Sequence, residues 1–158
     1  MRKIKVGVAG YGTIGQRLAD GVAMQEDMEL VGIADLAPTL ALQALRERDM
    51  IGANGVKYEL YLVDGADMAA FDAKGIPVAG TFDELCQKVD IMLDSAPGGV
   101  GAKNKENYYD KYGVKAIFQG GEKNSVADVF FHGYANYEKG VGQNYLKLTS
   151  CNTTGLIR

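Results

Sequence analysis

Cysteine is scarce in this chain. Only Cys86 and Cys151 occur among 158 residues, too few for a disulfide framework and in keeping with a reducing compartment. Proline is nearly as rare, three residues against 21 glycines, a balance that suits tight turns between strands and helices and close approach of backbone to a ligand. No apolar run approaches the roughly 18 residues of a membrane span. Met1-Arg2-Lys3-Ile4 leads straight into a strand pattern, without the apolar core of a signal peptide. There is no basic run, no C-x-x-C or C-x-x-H spacing, and the net charge is −3 with a pI near 5.2. These absences argue against a nucleic-acid or zinc module. The expectation is a soluble, cytoplasmic protein of ordinary globular composition, with no nucleic-acid or membrane partner.

What is present is an alternation of short apolar strands and helical patterns. Ile4 to Ala9 reads as a strand that ends at a glycine loop, and a helix from Thr13 should stack Ile14, Leu18 and Val22 on one face. Leu30 to Ala34 is a second strand, closed by Asp35. Pro38 suits a first helical turn, ahead of a helix with Leu40, Ala44 and Leu45 on its apolar side. Tyr58 to Val63 fits an added strand and Ile76 to Ala79 an edge strand. Thr81-Phe82-Asp83-Glu84 is a capping box opening a helix that carries Leu85 and Val89. Further strands are expected at Asp90 to Asp94, Val114 to Gln119, from Val129, and at Tyr145 to Thr149, with a helix from Ala102 to Tyr112. Tyr108-Tyr109 on that helix reads as packing plus one exposed ring. The implied fold is α/β: a Rossmann-type doubly wound, mostly parallel sheet with helices on both faces. Ligands on such sheets sit beyond the carboxyl ends of the strands. Gly10, Asp35, Ser95, Gly120 and Cys151 each follow an apolar strand-like run, so all five fall on that edge.

Gly10-Tyr11-Gly12-Thr13-Ile14-Gly15 is a G-x-G-x-x-G motif between a strand and a helix. Its first glycine permits the turn, the second admits a pyrophosphate, and the third lets helix and strand pack closely. Asp35 follows the last of these glycines by the separation expected of a ribose-hydroxyl acceptor. Its charge repels a 2′-phosphate, and Leu36 and Ala37 bring no compensating cation, which favours NAD over NADP. The plain alternative is that Asp35 caps the next helix. Cys151, in Ser150-Cys151-Asn152-Thr153-Thr154-Gly155, has the surroundings of a nucleophile at a strand-to-helix junction, where helix N–H groups stabilise a thiolate; the plain alternative is a small buried apolar residue. Cys86, in a helical pattern with Leu85 and Val89, reads as packing. The single histidine, His132, reads as a strand or edge residue rather than a partner of Cys151. Lys103 and Lys105 either attract an anion near a helix start or form a solvated face.

Together the glycine motif, Gly101-Ala102-Lys103-Asn104-Lys105, Lys115 to Lys123 and Ser150 to Leu156 resemble archaeal-type glyceraldehyde-3-phosphate dehydrogenase, in order and along the whole chain. The resemblance implies a dinucleotide-binding domain at 1–150, with 151–158 opening a catalytic domain otherwise absent from this chain. It implies a glycolytic, NAD(P)-dependent oxidoreductase acting on glyceraldehyde 3-phosphate and inorganic phosphate, a homotetramer as the parent protein, and no turnover by this part alone. Cys151 becomes the nucleophile that forms a thiohemiacetal, with Ser150, Asn152 and Thr153 at the substrate. Gly10, Gly12, Thr13, Ile14, Gly15, Asp35, Ser95, Pro97, Gly120 and Gly121 become cofactor contacts, and the family's catalytic histidine falls beyond Arg158. Two stretches depart from the family. Many members carry basic residues where this chain has Asp35-Leu36-Ala37, and some of those use NADP; Pro97-Gly98-Gly99-Val100 alters a loop near the cofactor. Two other readings stay open: an aspartate-semialdehyde dehydrogenase-like part using the same thiohemiacetal chemistry, and an NAD-sensing module without catalysis.

Overall fold

The computed structural model describes residues 2–119 and 121–157, the side chain of Ile157 excepted. Strand β1 (Ile4–Ala9) leads through the glycine loop into helix α1 (Thr13–Ala23), then β2 (Met28–Asp35) and α2 (Leu40–Arg46). After β3 (Leu60–Leu62), α3 (Met68–Asp72), β4 (Gly80–Thr81) and α4 (Phe82–Cys86) comes the central strand β5 (Ile91–Asp94). A longer helical stretch follows, made of α5 (Val100–Asn104), a π-turn at Lys105–Tyr109 and α6 (Asp110–Tyr112). The chain continues through β6 (Lys115–Phe118), β7 (Val129–Phe131), α7 (Gly133–Gly140), β8 (Tyr145–Leu148) and α8 (Cys151–Ile157).

The eight strands form one sheet in the order β4-β3-β2-β1-β5-β6-β8-β7, and every pairing is parallel. The chain winds outward from β1 to one side and then from β5 to the other, so the direction of winding reverses between β1 and β5. That reversal opens the crevice in which such sheets take ligands. Two apolar clusters cover the two faces. Val6, Val8, Leu30, Ile33, Leu42, Leu45 and Phe71 belong to one, and Tyr61, Phe82, Leu85, Met92, Tyr109 and Phe118 to the other. Leu30 and Ile33, three apart, share a face because the register against β1 skips Val31 between Val6 and Gly7. One extra residue in a strand reverses the alternation beyond it. Among the described residues no helix is long and apolar enough to cross a membrane.

The Rossmann-type sheet matches the expectation from the sequence, and so does the capping box: Thr81 Oγ1 accepts from Glu84 N while Glu84 Oε2 accepts from Thr81 N. Several details differ. Ile76 to Ala79 is not a strand; Ile76 N donates to Phe71 O and closes α3, Pro77 has no N–H to give, and the chain first bonds β3 at Ala79, whose N donates to Leu60 O, with strand register from Gly80. Pro38 lies outside α2, which Thr39 caps through its hydroxyl. The inner face of α2 is Leu42 and Leu45, with Leu40 and Ala44 outside. In α1 the buried residues are Gly15, Ala19 and Val22, while Ile14 is half exposed. Tyr108 and Tyr109 are both buried, so neither ring is the exposed one the sequence suggested.

Candidate dinucleotide site and cysteine turn

The glycine loop turns where β1 ends. Gly10 takes φ +84°, a left-handed conformation that favours glycine, and its N–H donates to Ala34 O at 2.8 Å. A Cβ on Gly15 would sit 1.8 Å from Gly10 O, so α1 packs directly on the loop backbone. A Cβ on Gly12 would meet nothing within 4 Å, leaving open space at the helix start. No side chain caps α1. The first-turn N–H groups, those of Thr13 and Ile14 among them, therefore remain available for an anion.

Asp35 ends β2 beside this loop. Its Oδ2 accepts from Tyr11 N at 2.9 Å and its Oδ1 from Leu36 N at 2.7 Å. A carboxylate has about four acceptor positions, so capacity remains on both oxygens. Helix α2 is capped by Thr39 instead, which removes the capping alternative for Asp35. Ser95 locks the other side of the crevice: its hydroxyl lies 2.8 Å from Gly10 O and 3.0 Å from Ala9 O. With one hydrogen to donate, Ser95 holds the loop rather than reaching outward. Pro97 O accepts from Val100 N across a turn in which Gly99 has φ +84°. This turn explains the Pro97-Gly98-Gly99 departure as a compact lead-in to α5.

Gly10, Asp35 and Pro97 line one cavity of about 470 Å³, together with Leu36, Ala37, Val63, Asp64, Phe82, Lys103, Asn107 and Tyr108. Lys103 is the only cation among its described lining residues, and the residues flanking Asp35 gave no sign of it. Gly121 lies elsewhere: it faces a second, more open cavity of about 680 Å³ with Lys105, Glu122, Lys123 and Ser125. The Gly98–Gly99 turn separates the two, and a Cβ on Gly98 would be 3.0 Å from Gly121 O. Gly120 lies outside the described residues.

Cys151 opens α8 beyond β8 and is exposed. It does not line the cavity around Gly10. Strands β5 and β6 intervene between β1 and β8, which sets the cysteine turn about 14 Å along the carboxyl edge, three strand spacings. Ser150 Oγ accepts from Thr153 N at 3.2 Å and caps α8, with Thr153 Oγ1 2.9 Å away. The Cys151 thiol points to Asn152 Oδ1 at 3.9 Å. Cys86 is buried, as expected of a packing residue, and burial pushes its thiol up to about 12. His132 caps α7, its Nδ1 accepting from Tyr134 N, which is a structural use of the only imidazole in the chain.

One central group escaped the sequence reading. Asp94, at the end of β5, is buried, and accepts from Tyr109 Oη at 2.6 Å, Asn104 Nδ2 at 2.9 Å and Ala96 N at 3.0 Å. It thereby ties the Ser95–Pro97 segment to the helix that follows. Desolvation raises its pKa against those three donors, and burial together with Asp94 holds the Tyr109 phenol well above its ordinary value. A signal existed: Asp94 closes an apolar strand as Asp35 does.

No family model matches the chain. Known proteins do. It is 46% identical to the glyceraldehyde-3-phosphate dehydrogenase of Archaeoglobus fulgidus over 158 residues, all of this chain and 44% of that protein. It is 48% identical to the corresponding enzyme of Pyrococcus abyssi over 156 residues, again 44% of the relative. The chain is homologous to the N-terminal part of archaeal glyceraldehyde-3-phosphate dehydrogenases. It spans less than half the length of these glyceraldehyde-3-phosphate dehydrogenases. Among solved structures, an aspartate semialdehyde dehydrogenase from Candida albicans superposes with a TM-score of 0.53 at 16% identity, over 98% of this chain and 45% of that one. Aspartate semialdehyde dehydrogenase II from Vibrio cholerae gives 0.52 at 17% identity, over 99% and 44%. At such identities the likeness concerns the fold alone.

Proposed function

We propose that this chain forms the NAD-binding part of a phosphorylating glyceraldehyde-3-phosphate dehydrogenase and carries its nucleophile, Cys151. The observation that carries the reading is the cradle at the β1–β5 reversal. Gly10 and the Asp35 carboxylate line one cavity there, and two residues after Gly10 come the open space at Gly12 and the uncapped start of α1. These residues suit a dinucleotide: first-turn N–H groups for the pyrophosphate, Asp35 for the adenosine ribose hydroxyls, Pro97 and Leu36 as apolar walls. Asp35 repels a 2′-phosphate, so NAD is preferred; Lys103 tempers that repulsion without cancelling it.

In this reading Cys151 Sγ adds to the aldehyde carbon to give a thiohemiacetal. A bound nicotinamide would supply the hydride acceptor for that carbon, and the hydroxyl proton would leave to the general base as the thioester carbonyl forms. Phosphate oxygen then attacks the resulting thioester carbonyl, the C–S bond breaks, and an acyl phosphate leaves the Cys151 thiolate behind. The exposed position of Cys151 at the start of α8 supports its role, as do the Ser150 cap and the neighbouring Asn152 and Thr153, which we assign to the substrate. Gly121, near the more open cavity, is assigned to the nicotinamide side. The chain matches 44% of the length of its glyceraldehyde-3-phosphate dehydrogenase relatives, and we assign the general base to the part of such an enzyme that this chain does not match, so this part alone binds cofactor without turnover. Identity of 46–48% to the triose-phosphate enzymes, against 16–17% to the semialdehyde enzymes, favours the former substrate.

Calorimetric titration with NAD⁺ and, separately, NADP⁺ tests the cofactor assignment. The expected outcome is one-to-one binding of NAD⁺, at least about tenfold weaker for NADP⁺ and for Asp35→Ala, a difference of about 1.4 kcal/mol. Equal binding of both dinucleotides contradicts the role of Asp35.

A further inference from the structure

The far end of the Gly10–Asp35 cavity is not generic. Val63 and Asp64 reach it from the end of β3, and Phe82, Asn107 and Tyr108 from the opposite side. The π-turn at Lys105–Tyr109 sends two successive tyrosines to two different carboxylates, Tyr109 to Asp94 and Tyr108 to Asp64. Tyr108 Oη donates to Asp64 Oδ2, and its ring stands edge-on to Phe82 with centroids 5.0 Å apart. Burial and Asp64 both raise the Tyr108 phenol's pKa, so it stays protonated and remains a donor. No hydrogen bond from the described residues reaches Asp64 Oδ1. The cavity therefore ends in an anchored acceptor beside apolar and aromatic walls, one strand further out than the ribose acceptor Asp35.

We infer that Asp64, held by Tyr108, is the residue that reads the purine base of the dinucleotide and selects a 6-amino over a 6-oxo purine. The inference rests on the dinucleotide reading above. A carboxylate accepts and cannot donate. On the N7/C6 edge, away from N1, adenine presents an N–H₂ donor, whereas hypoxanthine and guanine present only acceptors, so a 6-oxo purine turned with that edge to Asp64 would face it acceptor to acceptor. Asp64 is solvent-exposed, so the discrimination is modest beside that of a fully buried polar site.

The test is titration of the whole chain with NAD⁺ and with its hypoxanthine analogue, in which oxygen replaces the 6-amino group. Wild type should bind the analogue about tenfold more weakly. Asp64→Asn, whose amide both donates and accepts, should bring the two affinities within about twofold by strengthening the analogue. A merely structural role for Asp64 does not raise any affinity. Tyr108→Phe, which frees the carboxylate, should shrink the discrimination while urea unfolding verifies that the variant is folded. Equal binding of the two dinucleotides by wild type overturns the base assignment and leaves the dinucleotide reading standing. An equal loss for both in Asp64→Asn also overturns it, pointing to a ribose contact instead. No binding of either dinucleotide by wild type overturns both readings.

Discussion

The second and third glycines of the loop make separable demands, and alanine at each position should expose them. At Gly15 the added Cβ would lie 1.8 Å from Gly10 O and 3.0 Å from Ser95 Oγ. An ordinary contact begins near 3.4 Å, so helix and loop must part by about 1.6 Å. Gly10 O cannot swing aside cheaply, because the Ser95 hydroxyl sits 2.8 Å from it. Overpacking of this kind costs about 1–3 kcal/mol, and the rigid backbone partner places it near the top of that range. With an unfolding slope of about 2 kcal/mol per molar urea, the midpoint should fall by about 1.5 M. At Gly12 the Cβ meets nothing and φ is −77°, so only the poorer helix cap remains, less than about 1 kcal/mol. The same methyl group would occupy the approach of the pyrophosphate. Gly12→Ala should therefore keep its urea midpoint within about 0.5 M and lose at least about tenfold in NAD⁺ affinity, whereas Gly15→Ala should lose both. Unchanged NAD⁺ binding in Gly12→Ala would refute the phosphate position. Unchanged stability in Gly15→Ala would refute the close packing of α1 on the loop.

The two thiols should behave differently: iodoacetamide should alkylate Cys151 in the native chain and leave Cys86 untouched until denaturant is added, since Cys86 is buried and its thiol is pushed up to about 12. Mass spectrometry giving two native adducts would contradict that. Burial raises the pKa of Asp94, so the folded chain holds this proton more tightly than the unfolded one. Its contribution to stability is full below the unfolded value near 3.8 and is lost as pH rises through the folded value. The urea midpoint of wild type relative to Asp94→Asn should thus improve between pH 7 and pH 4, and a change of opposite sign would refute the assignment. Tyr109→Phe removes a donor from the same carboxylate and should cost about 1–3 kcal/mol at neutral pH, read from urea unfolding.

Local patterns made much of this fold legible. A strand running into G-x-G-x-x-G, an acid closing β2 and the Thr81–Glu84 box are each decided within a few residues, and the parallel alternation then leaves few topologies open. The misreadings share a cause in long-range packing. Ile14 looked like the inner residue of α1, yet Gly15 turns inward because the loop backbone presses on it. Ile76 to Ala79 has strand composition, but its first N–H is spent on closing α3. Asp94, Tyr109 and Asn104 meet only because α5 and its π-turn fold back over β5. The base-end pair of Asp64 and Tyr108 likewise spans 44 positions of sequence, and no spacing rule links them. Lys103 joins the cavity for the same reason.

An amide NMR titration with NAD⁺ tests the central claim most directly, because a 17.0 kDa chain allows residue-by-residue readout. The account predicts saturable shifts concentrated at Gly12, Thr13, Ile14, Leu36 and Ala96, on both sides of the β1–β5 reversal. Shifts absent there, or centred instead on α7 and the β7 edge, would contradict it.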